Sequence, residues 1–176
     1  QLWFASPLAV ELGFGIFNNT EARSLHLAFA LSLAFLAFPF RRKGTGRAGV
    51  PWWDVILCVA AAFCASYLFW NYESLADRPG LPNTLDITVS VVGVYLINEG
   101  ARRALGPALT IVAGAFLAYC FLGPHMPGLL AHKGVSLSRA ASQFWLGTEG
   151  VFGVALGVST TMVFLFVLFG ALLERI

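Results

Sequence analysis

The chain has 176 residues, of which 58% are hydrophobic and only 11% charged, and its net charge is +2. Soluble domains carry roughly 25% charged residues, so this composition excludes a globule covered by its own polar surface and makes lipid the natural solvent. The small net charge, with no basic stripe interleaved with aromatics, also excludes a nucleic-acid partner.

A backbone in lipid must satisfy its own polar groups, which leaves helices or a closed barrel. A barrel needs strands of alternating polarity, whereas the apolar runs here are continuous. The fold class expected is therefore all-α: a polytopic transmembrane helical protein with about six spanning helices and one short interfacial amphipathic helix.

The first apolar segment covers residues 2–17 and contains Pro7 and Glu11. It is short for a span, which needs roughly 20 residues. The chain opens on Gln1, with no basic leader, so it reads as processed or cut from something longer, and this segment as a helix whose start is missing. Asn18-Asn19-Thr20-Glu21 makes a polar turn. A second segment, 25–40, ends at Pro39 and is followed by Arg41-Arg42-Lys43 and a glycine-rich basic loop that Pro51 closes. The third segment opens on Trp52-Trp53 and closes on Trp70 and Tyr72, like the aromatic belts of membrane interfaces.

After a polar turn that holds Asp77-Arg78-Pro79-Gly80, the fourth segment covers 84–101 and ends at Arg102-Arg103. Gly106-Pro107 breaks the chain. The fifth segment covers 108–122 and stops at Gly123-Pro124. Residues 127–148 are the one sizeable polar region. Within it, 138–145 predict a short amphipathic helix with Leu137, Ala140, Ala141, Phe144 and Trp145 on one face. The sixth segment, 151–173, is the longest and ends at Glu174-Arg175.

Lys and Arg set the orientation. Arg41, Arg42, Lys43, Arg47, Arg102, Arg103 and Arg175 fall on one side. Arg23, Arg78, Lys133 and Arg139 fall on the other. The positive-inside rule places the first group in the cytoplasm and residues 124–148 in the periplasm of a bacterial inner membrane.

Charges at membrane depth are the usual place to look for function. Glu11 is the most central acid by position. Asp86 begins the fourth segment and Glu99 ends it, a dozen or so residues apart, so they cannot form one site. Glu99 and Arg103 share a helix face at i, i+4 and can pair. With Arg102 they are read either as a helix-end ion pair or as a grip on another subunit or an anionic lipid head group. His26, beside Arg23, reads as an interfacial hydrogen-bonding residue. Gly153 and Gly157 form a small-xxx-small pair that lets helices approach closely.

Cys58, Cys64 and Cys120 lie in apolar runs and fit no metal or redox spacing. His125 and His132 fit no metal motif either. With no Ser/His/Asp set, Walker loop or paired carboxylates, an enzyme is not expected, and neither catalytic, cofactor-binding nor metal-binding residues are assigned.

Several stretches carry a family resemblance. They are Arg23-Ser-Leu-His26-Leu-Ala-Phe-Ala-Leu leading to Phe38-Pro39; Tyr67, then Arg78-Pro-Gly80-Leu-Pro82 and Asp86; and Glu99-Gly-Ala-Arg102-Arg103-Ala-Leu-Gly106. Next come Tyr119, Gly123, Pro127-Gly128, His132 and Gly134. The last is Glu149-Gly-Val-Phe-Gly153-Val-Ala-Leu-Gly-Val-Ser159, leading to Val163-Phe-Leu-Phe-Val-Leu-Phe169-Gly170. The chain resembles the amino-terminal part of a TRAP transporter fused permease of the type that works with TAXI-type binding proteins. The stretches add Arg23, Arg78 and Glu149 to Glu11, His26, Asp86, Glu99, Arg102, Arg103, Gly153 and Gly157 as candidate structural or interface residues.

The resemblance implies a division of labour. Residues 1–104 look like the small four-helix scaffold, with its first helix truncated. Residues 105–124 look like the linker helix, 125–149 like a periplasmic segment carrying the amphipathic helix, and 150–176 like the first helix of the large component. In the family that large component moves and carries sodium and substrate sites, and a periplasmic binding protein delivers a small organic anion. Those sites are expected to lie beyond this chain, so sodium belongs to the full transporter and no cofactor is expected here. The expected function is the scaffold portion of such a transporter, not transport-competent alone, with the remaining permease helices and lipid as partners. The alternative is a truncated, permease-like structural subunit packed into another membrane complex.

Overall fold

The computed structural model describes residues 18–40, 51–78 and 80–175. The segment at 2–17, with Glu11, and the basic loop at 41–50 lie outside the described residues. All regular elements among the described residues are helical, and no strand occurs there.

Helix α1 is Asn19–Ala37. Asn18 and Glu21 form a capping box that supplies partners for the orphan N–H groups of the first turn. Its buried positions, Thr20, Ser24, Leu27, Ala28, Leu31 and Phe35, recur every three or four residues and make one stripe. Helix α2, Trp52–Ala76, answers with Asp54, Ala61, Cys64, Ala65 and Leu68. Small residues on both stripes let the backbones approach closely. At the contact, the Ser24 hydroxyl donates to the Ala65 carbonyl over 2.5 Å.

Helix α3, Thr84–Leu105, is also opened by a capping box, from Asn83 and Asp86. It ends at Gly106, whose φ of +97° is a left-handed value that suits glycine and reverses the chain. Pro107 then starts helix α4, Pro107–Leu122, with its ring already at the helical φ. Thr110 holds the start of α4 to α3 by donating to the Asn98 carbonyl.

Between α4 and the last helix, the chain folds back on itself. His132 packs on Gly123, where any added Cβ would sit 2.2 Å from the imidazole. Its Nδ1 accepts from the Gly134 N–H at 3.0 Å, so its Nε2 carries the proton and donates to the Tyr119 carbonyl at 3.1 Å. The short helix expected in this region forms as α5, Leu137–Ala141, and continues as a π-helical turn, Ser142–Leu146. Its apolar face does not lie free. It covers α3, and the π turn carries Trp145 onto Gly93, where the indole is fully buried. Trp145 in turn meets Phe152 edge-on, with ring centroids 5.4 Å apart.

Helix α6, Val154–Arg175, contains a second π turn at Ser159–Val163. Its first half rests on α1. Its second half carries exposed Phe166, Val167 and Phe169.

Three described helices are long and apolar enough to cross a membrane: α2, α4 together with the 3-10 turn that continues it to His125, and α6. Among the described residues the six spans expected are not found. Helices α1 and α3 fall short because α1 opens on Asn19, Glu21, Arg23 and His26, while α3 carries Asp86, Asn98 and Glu99. Several of these bond to neighbouring elements: Arg23 to the Phe152 carbonyl, His26 beside Ser159, and Asp86 to Tyr67. By contrast α4 has no buried residue, and Ile111 and Phe116 are each 67% exposed. So much outward apolar surface on helices of spanning length marks a membrane protein.

Candidate functional site

The candidate residues gather in three places, one at each end of α3 and one between α1 and α6.

The first is built where α1 ends, α2 begins and α3 ends. Glu99 accepts from two guanidinium groups of its own helix. Arg102 reaches it through Nε and Nη2, each at 2.8 Å, and Arg103 through Nε at 2.8 Å. The i+3 and i+4 spacings put both arginines on the face of Glu99. Arg103 then crosses to α2, where its Nη1 donates to Asp54 Oδ1 at 2.7 Å.

Asp54 is 1% exposed and Arg103 5%, so this is a buried ion pair with a fixed geometry. The other Asp54 oxygen accepts the Phe40 backbone N–H at 3.1 Å, which fastens the end of α1 to the same carboxylate. The aromatic rings of Phe35 and Phe40 lie 5.0 and 5.5 Å from the Arg103 guanidinium carbon, close enough for cation–π attraction. One acid on α2 and one arginine on α3 thus lock three helices together.

Arg102 is different. Its side chain is 39% exposed. With Phe38, Pro39, Phe40 and Arg103 it lines a cleft of about 490 Å³.

The second place lies at the opposite end of α3. Asp86 is 2% exposed and serves two purposes. Oδ2 accepts the Asn83 N–H at 2.7 Å in the capping box, and Oδ1 accepts the Tyr67 hydroxyl from α2. Arg78, from the connection between α2 and α3, stands 3.9 Å from Oδ2. A single carboxylate therefore starts α3 and ties it to α2. Asp86 and Glu99 share no partner and stay at separate ends of the helix.

The third place joins α6 to α1. Arg23 Nη1 donates to the Phe152 carbonyl at 2.9 Å. One turn on, His26 Nε2 and Ser159 Oγ lie 3.2 Å apart. Gly157 lies against the Arg23 guanidinium, and an added Cβ would come within 2.7 Å of Nη2. Gly153 has another task. It is the residue that starts α6, and a Cβ there would meet the carbonyls of Gly150, Glu149 and Thr148 at 2.8–3.2 Å. The two glycines are therefore not one helix-packing stripe. One makes a tight turn and the other seats a cation. Glu149 is exposed in the turn before α6, with only its carbonyl near Gly153.

Sequence reasoning left Asp54 and Trp145 off the candidate set. The signal for Asp54 is an acid two positions into a long apolar helix, directly behind a pair of tryptophans. Trp145 was placed on the apolar face of its helix, but nothing in the sequence pointed to Gly93 as its socket.

No group of three or more His, Cys, Asp or Glu that could hold a metal occurs among the described residues. The three cysteines are free thiols. The arrangement offers bonds that fix helices to one another. A comparison with family models, curated proteins and solved structures found no match for the chain.

Proposed function

We propose that this chain is the membrane scaffold portion of a sodium-coupled, binding-protein-dependent transporter of the TRAP type, serving small organic anions. The motif series from Arg23 to Gly170 suggests the family. The observation that carries the scaffold role is the Asp54–Arg103–Glu99 cluster, which fixes the ends of α1, α2 and α3 at one point. The Asp86–Tyr67 contact fixes α2 to α3 again at their other ends. Helices held at both ends cannot slide past one another, and that rigidity suits a part against which another part moves.

On this reading α1 and α3 also cross the membrane, with their charges hidden by pairing inside the bundle. The end that carries Arg102 and Arg103 faces the cytoplasm, and α5 faces the periplasm. The exposed second half of α6 meets further permease helices. Transport in the family rests on those helices and the sodium sites they carry.

The same exposed faces also suit a structural subunit recruited to a different membrane complex. Purification from the native membrane under mild detergent, followed by mass spectrometry of what travels with the chain, separates the two. Permease helices and a periplasmic binding protein support the transporter scaffold. Stable association with an unrelated complex, without either of them, overturns it.

A further inference from the structure

A cavity of about 160 Å³ lies between α3, α4 and α5. Val94, Leu117, Ala141 and Phe144 are among its walls, and Ser90 is a polar residue in its lining. The Ser90 hydroxyl is already committed, donating to the Asp86 carbonyl at 2.6 Å within its own helix. Only the acceptor lone pairs of that hydroxyl remain, so the space offers water a single weak foothold.

Two further observations identify the occupant. One wall is α4, a helix of spanning length with no buried residue, so hydrocarbon is the medium on its outer side. The rim is also apolar: Phe121 and Leu137 line the cavity while remaining 42% and 51% exposed. No charged side chain lines the space, so it suits a hydrocarbon tail and not a head group.

We propose that this cavity is a seat for one acyl chain of a membrane lipid, entered sideways between α4 and α5. The seated chain completes the packing of α5 on α3 and ties the register of the α5 fold-back to the surrounding bilayer. The seat rests on the membrane reading of α4 given above.

The test places the whole chain in phosphatidylcholine vesicles that contain a minor share of phosphatidylcholine with a diazirine on one acyl chain. Illumination and peptide mapping follow. Label is expected at Val94 and Ala141 inside the cavity as well as at Ile111 and Phe116 on the outer face of α4. Two filling variants, Ala141→Phe and Leu117→Phe, should each lower labelling of Val94 severalfold while leaving Ile111 and Phe116 unchanged. Helix content by circular dichroism and the thermal unfolding transition identify the variants that keep the fold.

Label on Ile111 and Phe116 with none at Val94 or Ala141 overturns the seat and leaves the membrane reading intact. Undiminished labelling of Val94 in a folded filling variant overturns it as well. Release of the chain from vesicles by alkaline carbonate, with no label anywhere, overturns the membrane reading and the seat together.

Discussion

Asp54 and Arg103 stand 49 residues apart in sequence and meet at 2.7 Å, both nearly sealed from solvent. A buried ion pair adds little net stability, because desolvation offsets most of the attraction. Its effect is geometric: separating the helices would strand two charges in an apolar setting. The pair therefore makes one arrangement of α1, α2 and α3 much better than any neighbouring one.

Removing Arg103 leaves the Asp54 carboxylate buried with only the Phe40 N–H for company. Arg103→Met should destabilise the bundle by about 3–5 kcal/mol. Asp54→Asn keeps a polar partner and leaves Arg103 on Glu99, so its cost should be smaller, about 1–3 kcal/mol. Pairing Arg103→Met with Asp54→Leu should recover part of the loss. Reversible unfolding in mixed micelles measures all of these. Equal costs for the two single variants would show that the pair does not hold the helices.

Two glycines should respond differently to one methyl group. At Gly93 an added Cβ would lie 2.3 Å from the rigid, fully buried indole of Trp145. Gly93→Ala should cost about 1–3 kcal/mol by overpacking and, in a background with the other four tryptophans replaced by Phe, shift Trp145 emission to the red. At Gly157 the neighbour is the far end of Arg23, which can swing away. Gly157→Ala should cost less and act mainly by loosening the Arg23 bond to Phe152. Thermal unfolding and emission spectra of both variants check the ranking.

Tyr67→Phe removes the hydroxyl that serves Asp86 and leaves a carboxylate oxygen of a 2%-exposed residue short of a donor. The expected loss is about 1–3 kcal/mol. Asp86→Ala removes the α3 cap as well and should cost more. Helix content by circular dichroism, followed through thermal unfolding, measures both.

His132 pins the fold-back after α4 through bonds to Tyr119 and Gly134. His132→Ala should open this loop without unfolding the helices. Trypsin cleavage after the adjacent, exposed Lys133 should then quicken in detergent while the melting transition stays in place. Cleavage at the original rate would show that the loop is held by other contacts.

Much of the helical layout is legible in the sequence. Unbroken apolar runs and punctuation such as Asn83, Gly106 and Pro107 mark where α2, α3 and α4 begin or end. The Glu99–Arg103 contact is legible too, because i, i+4 spacing alone puts those side chains on one face. The count of spans was not: among the described residues three helices are long and apolar enough, because α1 and α3 take in polar residues such as Glu21, Arg23, Asp86 and Glu99. Asp54 meeting Arg103 leaves no periodic trace, because it depends on how α2 and α3 cross. The separate duties of Gly153 and Gly157 were hidden for a similar reason. Their spacing matches a packing motif, yet a turn before α6 claims one and a side chain from α1 claims the other. The fold-back that delivers Trp145 to Gly93 depends on a π turn that no residue pattern announces.

The proposed scaffold role requires α6 to meet other permease helices. A photo-reactive phenylalanine analogue at Phe166, which is 73% exposed on α6, reads that contact in native cells. Illumination followed by mass spectrometry should yield an adduct with a permease helix. Adducts with the subunits of an unrelated complex, or with lipid alone, would overturn the scaffold role.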